Sequence, residues 1–89
     1  MTRQTVTICN KLGMHARAAA KFVQMASRYE SEIKIVRGGR EVNGKSIMGV
    51  MMLAAGKGIS IDITANGADE TQAVADLVQL VNDRFGEAE

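Results

Sequence analysis

One histidine and one arginine, two positions apart, are the residues of this 89-residue chain best suited to chemistry. His15 is the only histidine, and it stands between the turn-forming pair Gly13-Met14 and a stretch of helical periodicity that begins near Ala16. A helix start presents free backbone N–H groups and the positive end of the helix dipole, which attract an anion and disfavour a protonated imidazole. A neutral imidazole keeps a nitrogen lone pair, so His15 is a candidate nucleophile at neutral pH.

Arg17 would place a planar, permanently charged guanidinium beside His15. Phosphoryl transfer needs a nucleophile, positioning and positive groups around the phosphoryl oxygens, and this pair supplies them. The plainer alternative, and the commoner one for a lone histidine, is that His15 caps the helix and Arg17 is a solvated charge. No carboxylate is obviously placed to orient His15, and one histidine with Cys9 falls short of a metal site or a catalytic triad.

The helix predicted from Ser46 to about Ala54–Ala55 is apolar on two faces. The face expected to pack in the core consists of Ile47, Val50 and Leu53. The other face is rich in methionine and consists of Met48, Met51 and Met52. Flexible methionines suit a surface that must fit several partners, although plain core packing explains them equally well. Ser46 is predicted as the N-cap of this helix, where a phosphate would also be tolerated.

The elements that must position these residues follow from hydrophobic periodicity and turn residues. Alternation predicts strands, an i, i+3, i+4, i+7 spacing predicts helices, and Gly38-Gly39 predicts a tight hairpin turn. The predicted order is strand (5–8), helix (16 to about 27–29), strand (32–37), strand (40–43), helix (46 to about 54–55), strand (59–65) and helix (from 69). This β-α-β-β-α-β-α order, with strands apolar on one face, predicts an α+β open-faced β-sandwich: a four-stranded antiparallel sheet with three helices on one face.

Two of the predicted helices carry a regular apolar stripe that should face the sheet. In the first helix the stripe is Ala19, Phe22, Val23 and Ala26, with Lys21 on the outside. In the last helix it is Val74, Leu77, Val78, Val81 and Phe85. Asp69 and Gln72, three residues apart, predict a capping box at the start of that last helix.

Composition and charge limit the classes of function. Residues 1–89 are too few for more than one domain, and one cysteine cannot form an internal disulfide. We expect a cytoplasmic protein without membrane insertion, because no apolar run reaches the roughly 20 residues of a membrane span and no apolar signal segment opens the chain.

Residues 1–58 carry ten basic and three acidic side chains, whereas residues 59–89 carry one basic and seven acidic. This asymmetry either provides a basic surface for an acidic partner or phosphate, or simply solvates both halves.

Two motifs, LGMHARAAAKFV at Leu12–Val23 and GKSIMGVMMLAA at Gly44–Ala55, resemble the HPr family. That family consists of histidine-containing phosphocarriers of the bacterial phosphoenolpyruvate-dependent phosphotransferase system. The predicted element order also looks like the family's open-faced β-sandwich, and the resemblance covers the whole chain. In one position the chain departs from it, because the family motif usually has proline after the arginine and this chain has Ala18. Alanine restores a backbone N–H and favours helix, so we expect the helix start to survive.

The resemblance implies a function and a set of site residues. His15 would carry a phosphoryl group on Nδ1, received from phosphorylated enzyme I and passed to IIA components, with Arg17 stabilising the phosphate. Ser46 would be the position that an HPr kinase/phosphorylase modifies. The surface that docks partners would include Ala20, Ile47, Met48 and Met51. We therefore predict a stoichiometric phosphoryl carrier and not an enzyme, acting as a monomer without cofactor or metal and without binding nucleic acid.

Three other functions remain open on the sequence. Within the family, the chain could serve a nitrogen-related regulatory phosphotransfer chain, which its rate of phosphorylation by each enzyme I paralogue would reveal. An RNA-binding module of the same element order would need aromatic residues on the exposed strand face, where the clearest strand offers Ser60, Asp62 and Thr64. An ACT-like small-molecule sensor would have no need of His15.

Overall fold

The computed structural model describes residues 1–53 and 55–89, which form a four-stranded sheet covered by helices. The strands lie in the order β1-β4-β2-β3 and every neighbouring pair is antiparallel. In chain order the elements are β1 (Thr2–Thr7), α1 (Ala16–Ala26), β2 (Glu32–Arg37), β3 (Arg40–Asn43), α2 (Ile47–Met52), β4 (Ser60–Asn66) and α3 (Glu70–Asn82). The predicted fold class and element order are confirmed, whereas Ala54, predicted near the end of the second helix, lies outside the described residues.

The apolar core lies between the sheet and the helices. Both phenylalanines, Phe22 and Phe85, are fully buried there, and the sheet contributes the branched side chains of β2 and β4. The predicted stripe of α1 is confirmed, and so is that of α3 from Val74 to Val81, because all of these residues are buried. No helix within the described ranges is both long and apolar enough to span a membrane.

The opposite face of the sheet is polar, and its side chains pair across the strands. The Thr5 hydroxyl donates to Asp62 at 2.5 Å, and this bond, together with Arg3, lowers the pKa of Asp62. Thr64 was expected on this wet face but is buried, because the register places the long side chains of Arg3 and Lys34 on either side of it. None of the four strands contains an aromatic residue, so this face offers no platform on which RNA bases could stack.

The loop before α1 is held against the segment that follows α2. The Met14 backbone N–H donates to the Ala55 carbonyl at 2.8 Å. Gly13 has φ +65°, and a Cβ there would come within 2.7 Å of the same carbonyl oxygen. Only glycine combines that left-handed conformation with such a close approach. The loop that leads into His15 is therefore fixed on both sides, by α1 and by the chain beyond α2.

The predicted capping box at α3 is wrong. Asp69 is the N-cap of α3 but its side chain makes no capping hydrogen bond. Its carboxylate instead accepts from the Ser31 hydroxyl at 2.5 Å and from the backbone N–H groups of Ser31 and Glu30, at 3.0 and 2.9 Å. Gln72 contacts Asp76, one turn along the helix, at 2.8 Å. The Asp69 carboxylate therefore binds three donors of the α1–β2 connection, and not the backbone N–H of α3 that a capping box would use.

We expect Asp69→Ala to lower the Tm of the protein at pH 7, because three hydrogen bonds between the α1–β2 connection and α3 are lost. The hydrogen bond from Ser31 and those from the backbone lower the pKa of Asp69 below its ordinary 3.8. A lowered folded-state pKa stabilises the protein above the unfolded-state value and loses this effect as the pH falls through the folded-state value. The difference in Tm should therefore shrink in acid. Asp83→Ala, which removes an exposed acid, is the control, and an equal loss in both variants would contradict the assignment.

The chain beyond α3 turns back in a left-handed conformation. The apolar stripe predicted for the last helix includes Phe85, but α3 ends at Asn82. The φ values of Arg84, Phe85 and Gly86 are +58°, +54° and +79°. A left-handed conformation costs a non-glycine residue roughly 1–2 kcal/mol. Burial of the Phe85 ring opposes that cost, and Lys21, expected to be solvated, donates from Nζ to the Phe85 carbonyl at 2.6 Å.

Candidate functional site

His15 is the N-cap of α1 and stands directly before the helix start that the sequence predicts near Ala16. Its φ and ψ are −76° and 179°, its ring makes no capping hydrogen bond, and its carbonyl accepts the first helical bond, from Ala19 at 2.8 Å. The helix begins at Ala16, so the backbone N–H groups of residues 16–18 have no partner within the helix. Ala18 is fully buried in the first turn, and the helix start survives without the family's proline. Free amide donors and the positive end of the helix dipole thus lie next to the imidazole.

The imidazole is held by an acidic side chain from the other end of the chain. His15 Nε2 lies 2.5 Å from Oε2 of Glu87, and the two side chains are 28% and 17% exposed. The other oxygen of Glu87 accepts from Nδ2 of Asn10 at 3.1 Å, and Asn10, which is fully buried, also donates to the Gly13 carbonyl at 2.8 Å. An ionised carboxylate can only accept, so Nε2 carries the proton in this contact. Nδ1 has no hydrogen-bond partner among residues 1–53 and 55–89.

The charge of Glu87 is favoured by its surroundings. Partial burial acts to raise its pKa, but the hydrogen bonds from Asn10 and His15 outweigh burial, and the pKa of Glu87 is lowered. Lys21 contributes in the same direction. A carboxylate therefore faces the imidazole throughout the neutral range.

Sequence reasoning missed this carboxylate, and its expectation that none is placed to orient His15 is wrong. Glu87 lies 72 positions from His15 along the chain. The sequence contained one local signal. Gly86 is a turn-forming residue and follows the apolar Phe85, so a turn held to the core by a buried ring is expected directly before Glu87. Nothing in the periodicity of α3 showed that this turn reverses the chain toward the first loop.

Arg17 lies at the second position of α1, exposed to solvent, and makes no hydrogen bond or ion pair within the described part of the chain. It lines an open cavity of about 440 Å³ together with His15, Lys11 and the C-terminal residues Glu87 and Glu89. The structure thus brings the two residues that the sequence singled out to one solvent-accessible depression. Lys11 is already engaged, with its Nζ 3.5 Å from Glu89 and its backbone N–H donating to the Glu89 carbonyl at 3.0 Å.

These parts have the geometry of a site for anionic group transfer. A partly exposed imidazole offers Nδ1 as a nucleophile, amides without a helical partner lie at the adjacent helix start, and a guanidinium with no partner in the described ranges can move onto a bound anion. No three potential metal ligands among His, Cys, Asp and Glu come together in the described ranges. Cys9 lies at the edge of the core, partly exposed, and its thiol donates to the Val81 carbonyl at 3.4 Å.

The second helix exposes one apolar surface, which we call the methionine patch and which consists of Ile47, Met48, Met51 and Met52. These side chains are 44%, 68%, 39% and 59% exposed, while Val50 and Leu53 are buried. The assignment of Ile47 to the core face is therefore wrong: it is the first residue of a helix of only six residues, of which Val50 is the buried one. Ala20 of α1 is half-buried, and α1 packs against α2.

Ser46 is the N-cap of α2, as predicted, and its hydroxyl accepts from the Gly49 N–H at 3.2 Å. The side chain is partly exposed. It therefore already has a structural role at the edge of the methionine patch.

Comparison with known proteins agrees with this geometry over the whole chain. The family model described as "PTS HPr component phosphorylation site" matches residues 2–83. The phosphocarrier protein HPr of Neisseria meningitidis serogroup A is 52% identical over 89 residues, which is 100% of both chains. Among solved structures, HPr-C-His from Thermoanaerobacter tengcongensis superposes with a TM-score of 0.96 at 44% identity over 100% of both chains. An HPr dimer from the same organism matches with a TM-score of 0.78 at 45% identity, over 98% of this chain and 100% of that one. On these matches the chain belongs to the HPr family, the phosphocarrier proteins of the phosphotransferase system (PTS).

Proposed function

We propose that the chain accepts a phosphoryl group on Nδ1 of His15 and passes it on to a further protein. This assignment rests on the different surroundings of the two ring nitrogens. Nε2 is occupied by Glu87 at 2.5 Å, whereas Nδ1 has no hydrogen-bond partner in the described residues, and His15 itself is the N-cap of α1. The free nitrogen is the one that can attack phosphorus.

Arg17 and the helix start would receive the charge of the incoming group. Phosphoryl transfer spreads negative charge over three equatorial oxygens, and catalysis consists mainly of positioning and of placing positive groups around them. The guanidinium of Arg17 offers paired donors with a fixed geometry, and the amides of the exposed residues 16 and 17 offer further donors at the positive end of α1. Because Arg17 has no competing partner within the described ranges, it can move onto the phosphoryl group without breaking another contact.

We infer that the donor is phosphorylated enzyme I and that the acceptors are IIA components, in keeping with family membership. In such a scheme His15 is phosphorylated and then dephosphorylated once per passage. The protein is a stoichiometric carrier and not a catalyst that turns over a small substrate, it needs no cofactor, and residues 1–89 act as one domain. We place this activity in the cytoplasm, where phosphoenolpyruvate is available, and assign it to the monomer.

The methionine patch would dock both partners. It is the main exposed apolar surface on α2, and the Met14–Ala55 backbone hydrogen bond at 2.8 Å places the segment after α2 beside the His15 loop. A partner seated on the patch would therefore reach Nδ1 of His15. Methionine side chains adapt their shape at little cost, which suits a surface that must meet a donor and several acceptors in turn.

We expect Met48→Glu to weaken binding to enzyme I by about tenfold or more, because a charge would be buried at the centre of an apolar interface. Binding measured by titration calorimetry gives the change directly. Gln79→Glu adds the same charge on the exposed side of α3 and is the matched control, for which we expect near wild-type affinity. Wild-type affinity in Met48→Glu would rule out the patch as the docking surface.

Ser46 would be a regulatory phosphorylation site in organisms with an HPr kinase/phosphorylase. Its hydroxyl is partly exposed, and its one hydrogen bond, from Gly49 at 3.2 Å, is a helix cap that phosphate oxygens could replace. Incubation with such a kinase and ATP, followed by peptide mapping, tests the assignment, and modification of another serine or threonine would contradict it.

The direct test of the carrier function is incubation with phosphoenolpyruvate and enzyme I, followed by intact-protein mass spectrometry. We expect the gain of one phosphoryl group that is lost in mild acid, as a phosphorus–nitrogen bond is. Loss of the group from the carrier when a IIA component is added would establish transfer. No gain in mass, or a gain that is stable to acid, would contradict the proposal.

A further inference from the structure

The last six residues, 84–89, return to the loop that contains His15 and lie beyond the residues matched by the family model. The left-handed turn at Arg84–Gly86 reverses the chain, and the buried Phe85 ring and the Lys21–Phe85 hydrogen bond at 2.6 Å hold it in place. A non-glycine residue keeps a left-handed conformation only where its surroundings determine it. The turn therefore fixes the position of the next residue along the chain.

That next residue is Glu87, and its carboxylate is held at both oxygens. Oε1 receives a hydrogen bond from Asn10 and Oε2 lies 2.5 Å from His15 Nε2, while only 17% of the side chain is exposed. Asn10 is itself fully buried and bound to the Gly13 carbonyl. Glu87 thus contacts the imidazole from a rigid support, in contrast to Glu89, whose side chain is 73% exposed and pairs with Lys11.

We propose that Glu87 is a positioning residue for phosphoryl transfer: it keeps the proton on Nε2 of His15 and compensates the positive charge that the ring acquires when Nδ1 is phosphorylated. This inference rests on the proposed carrier function. A carboxylate that fixes one imidazole nitrogen determines which nitrogen is free and how the ring is oriented, as in other sites where a carboxylate faces a functional histidine.

The chemical step shows why the compensation matters. The Nδ1 lone pair forms the new bond to phosphorus as the bond from phosphorus to the donor breaks, and that electron pair stays with the donor. No proton leaves His15, so the ring becomes a phosphoimidazolium with one positive charge, next to the Glu87 carboxylate. In the outgoing step the bond to Nδ1 breaks and the ring leaves as neutral imidazole with its Nε2 proton. Without that proton the ring would have to leave as an imidazolate anion, which is a far poorer leaving group than neutral imidazole.

We test the inference with Glu87→Gln, Glu87→Ala and the matched control Glu89→Gln. The measured quantity is the equilibrium constant for phosphoryl exchange between the carrier and enzyme I. We expect a decrease of about tenfold in both Glu87 variants, because each loses a hydrogen bond to an ionised group. Glu89→Gln removes the same charge without touching His15 and should behave like the wild type. An amide at position 87 has one acceptor oxygen, which can serve Asn10 or His15 but not both, so Glu87→Gln removes the charge and keeps one of the two contacts even if the Glu87→Ala segment detaches.

A spectroscopic readout separates this role from a structural one. ¹⁵N spectra of the His15 ring in alkaline buffer should show a protonated Nε2 in the wild type and a measurable fraction of protonated Nδ1 in Glu87→Ala. Exchange constants and ring spectra identical to wild type in both Glu87 variants would overturn the inference, as would an equal effect of Glu89→Gln. Failure of the carrier function itself looks different: the wild-type protein would then gain no phosphoryl group on His15.

Discussion

Replacing His15 with alanine is expected to abolish phosphoryl acceptance from phosphoenolpyruvate and enzyme I while leaving the fold intact. His15 is the only histidine, so no second imidazole can take over. Its ring makes no capping hydrogen bond, and within residues 1–53 and 55–89 its only side-chain hydrogen bond is with Glu87, so removal should cost the fold only about 1 kcal/mol. Intact-protein mass after incubation gives the first result and thermal unfolding gives the second.

Gln24→Ala is the matched control for His15→Ala, since it shortens an exposed side chain on the same helix. We expect that variant to be phosphorylated at the wild-type rate. An acid-labile phosphoryl group on His15→Ala would contradict the assignment of the nucleophile. It would also reopen the ACT-like alternative, for which His15 has no role.

Arg17→Ala is expected to slow transfer from phosphorylated enzyme I by about a hundredfold, the effect of removing one well-placed donor from a developing anionic charge. The side chain is exposed and has no partner within the described part of the chain, so stability should be unchanged. Arg17→Lys should restore part of the rate, because it keeps the charge but loses the paired donors. Stopped-flow or quench measurement of single-turnover transfer gives these rates.

Arg40→Ala is the control for Arg17→Ala, because Arg40 is an exposed arginine of β3 at the far edge of the sheet. Loss of rate in both variants would show that net charge, and not the position of Arg17, governs the reaction. An unchanged rate in Arg17→Ala would remove its proposed role altogether.

Much of the fold follows from local patterns in the sequence. The stripe from Ala19 to Ala26 predicts the buried face of α1 because helix periodicity and burial coincide there. The Gly38-Gly39 turn, with φ values of +52° and +82°, is equally local. The positions of His15 and Ser46 at the starts of their helices are visible in sequence for the same reason, because the change from turn residues to helical periodicity is local.

The errors arise where a contact joins distant parts of the chain. Asp69 matches a capping box but serves residues 30 and 31, 38 or more positions away. Ile47 fits the core stripe of α2, yet it is 44% exposed in the assembled fold. Glu87 reaches His15 only because the chain reverses at Phe85, and that reversal is a property of the assembled core. Periodicity cannot report such contacts because it describes one element at a time.

The most direct test of the carrier mechanism is to determine which nitrogen of His15 carries phosphorus. Protein with ¹⁵N-labelled histidine, phosphorylated by enzyme I and phosphoenolpyruvate, shows a phosphorus–nitrogen coupling at the bonded nitrogen in its NMR spectrum. We predict coupling to Nδ1, with Nε2 still protonated and facing Glu87. Coupling to Nε2, or phosphorus on any other residue, would contradict the mechanism.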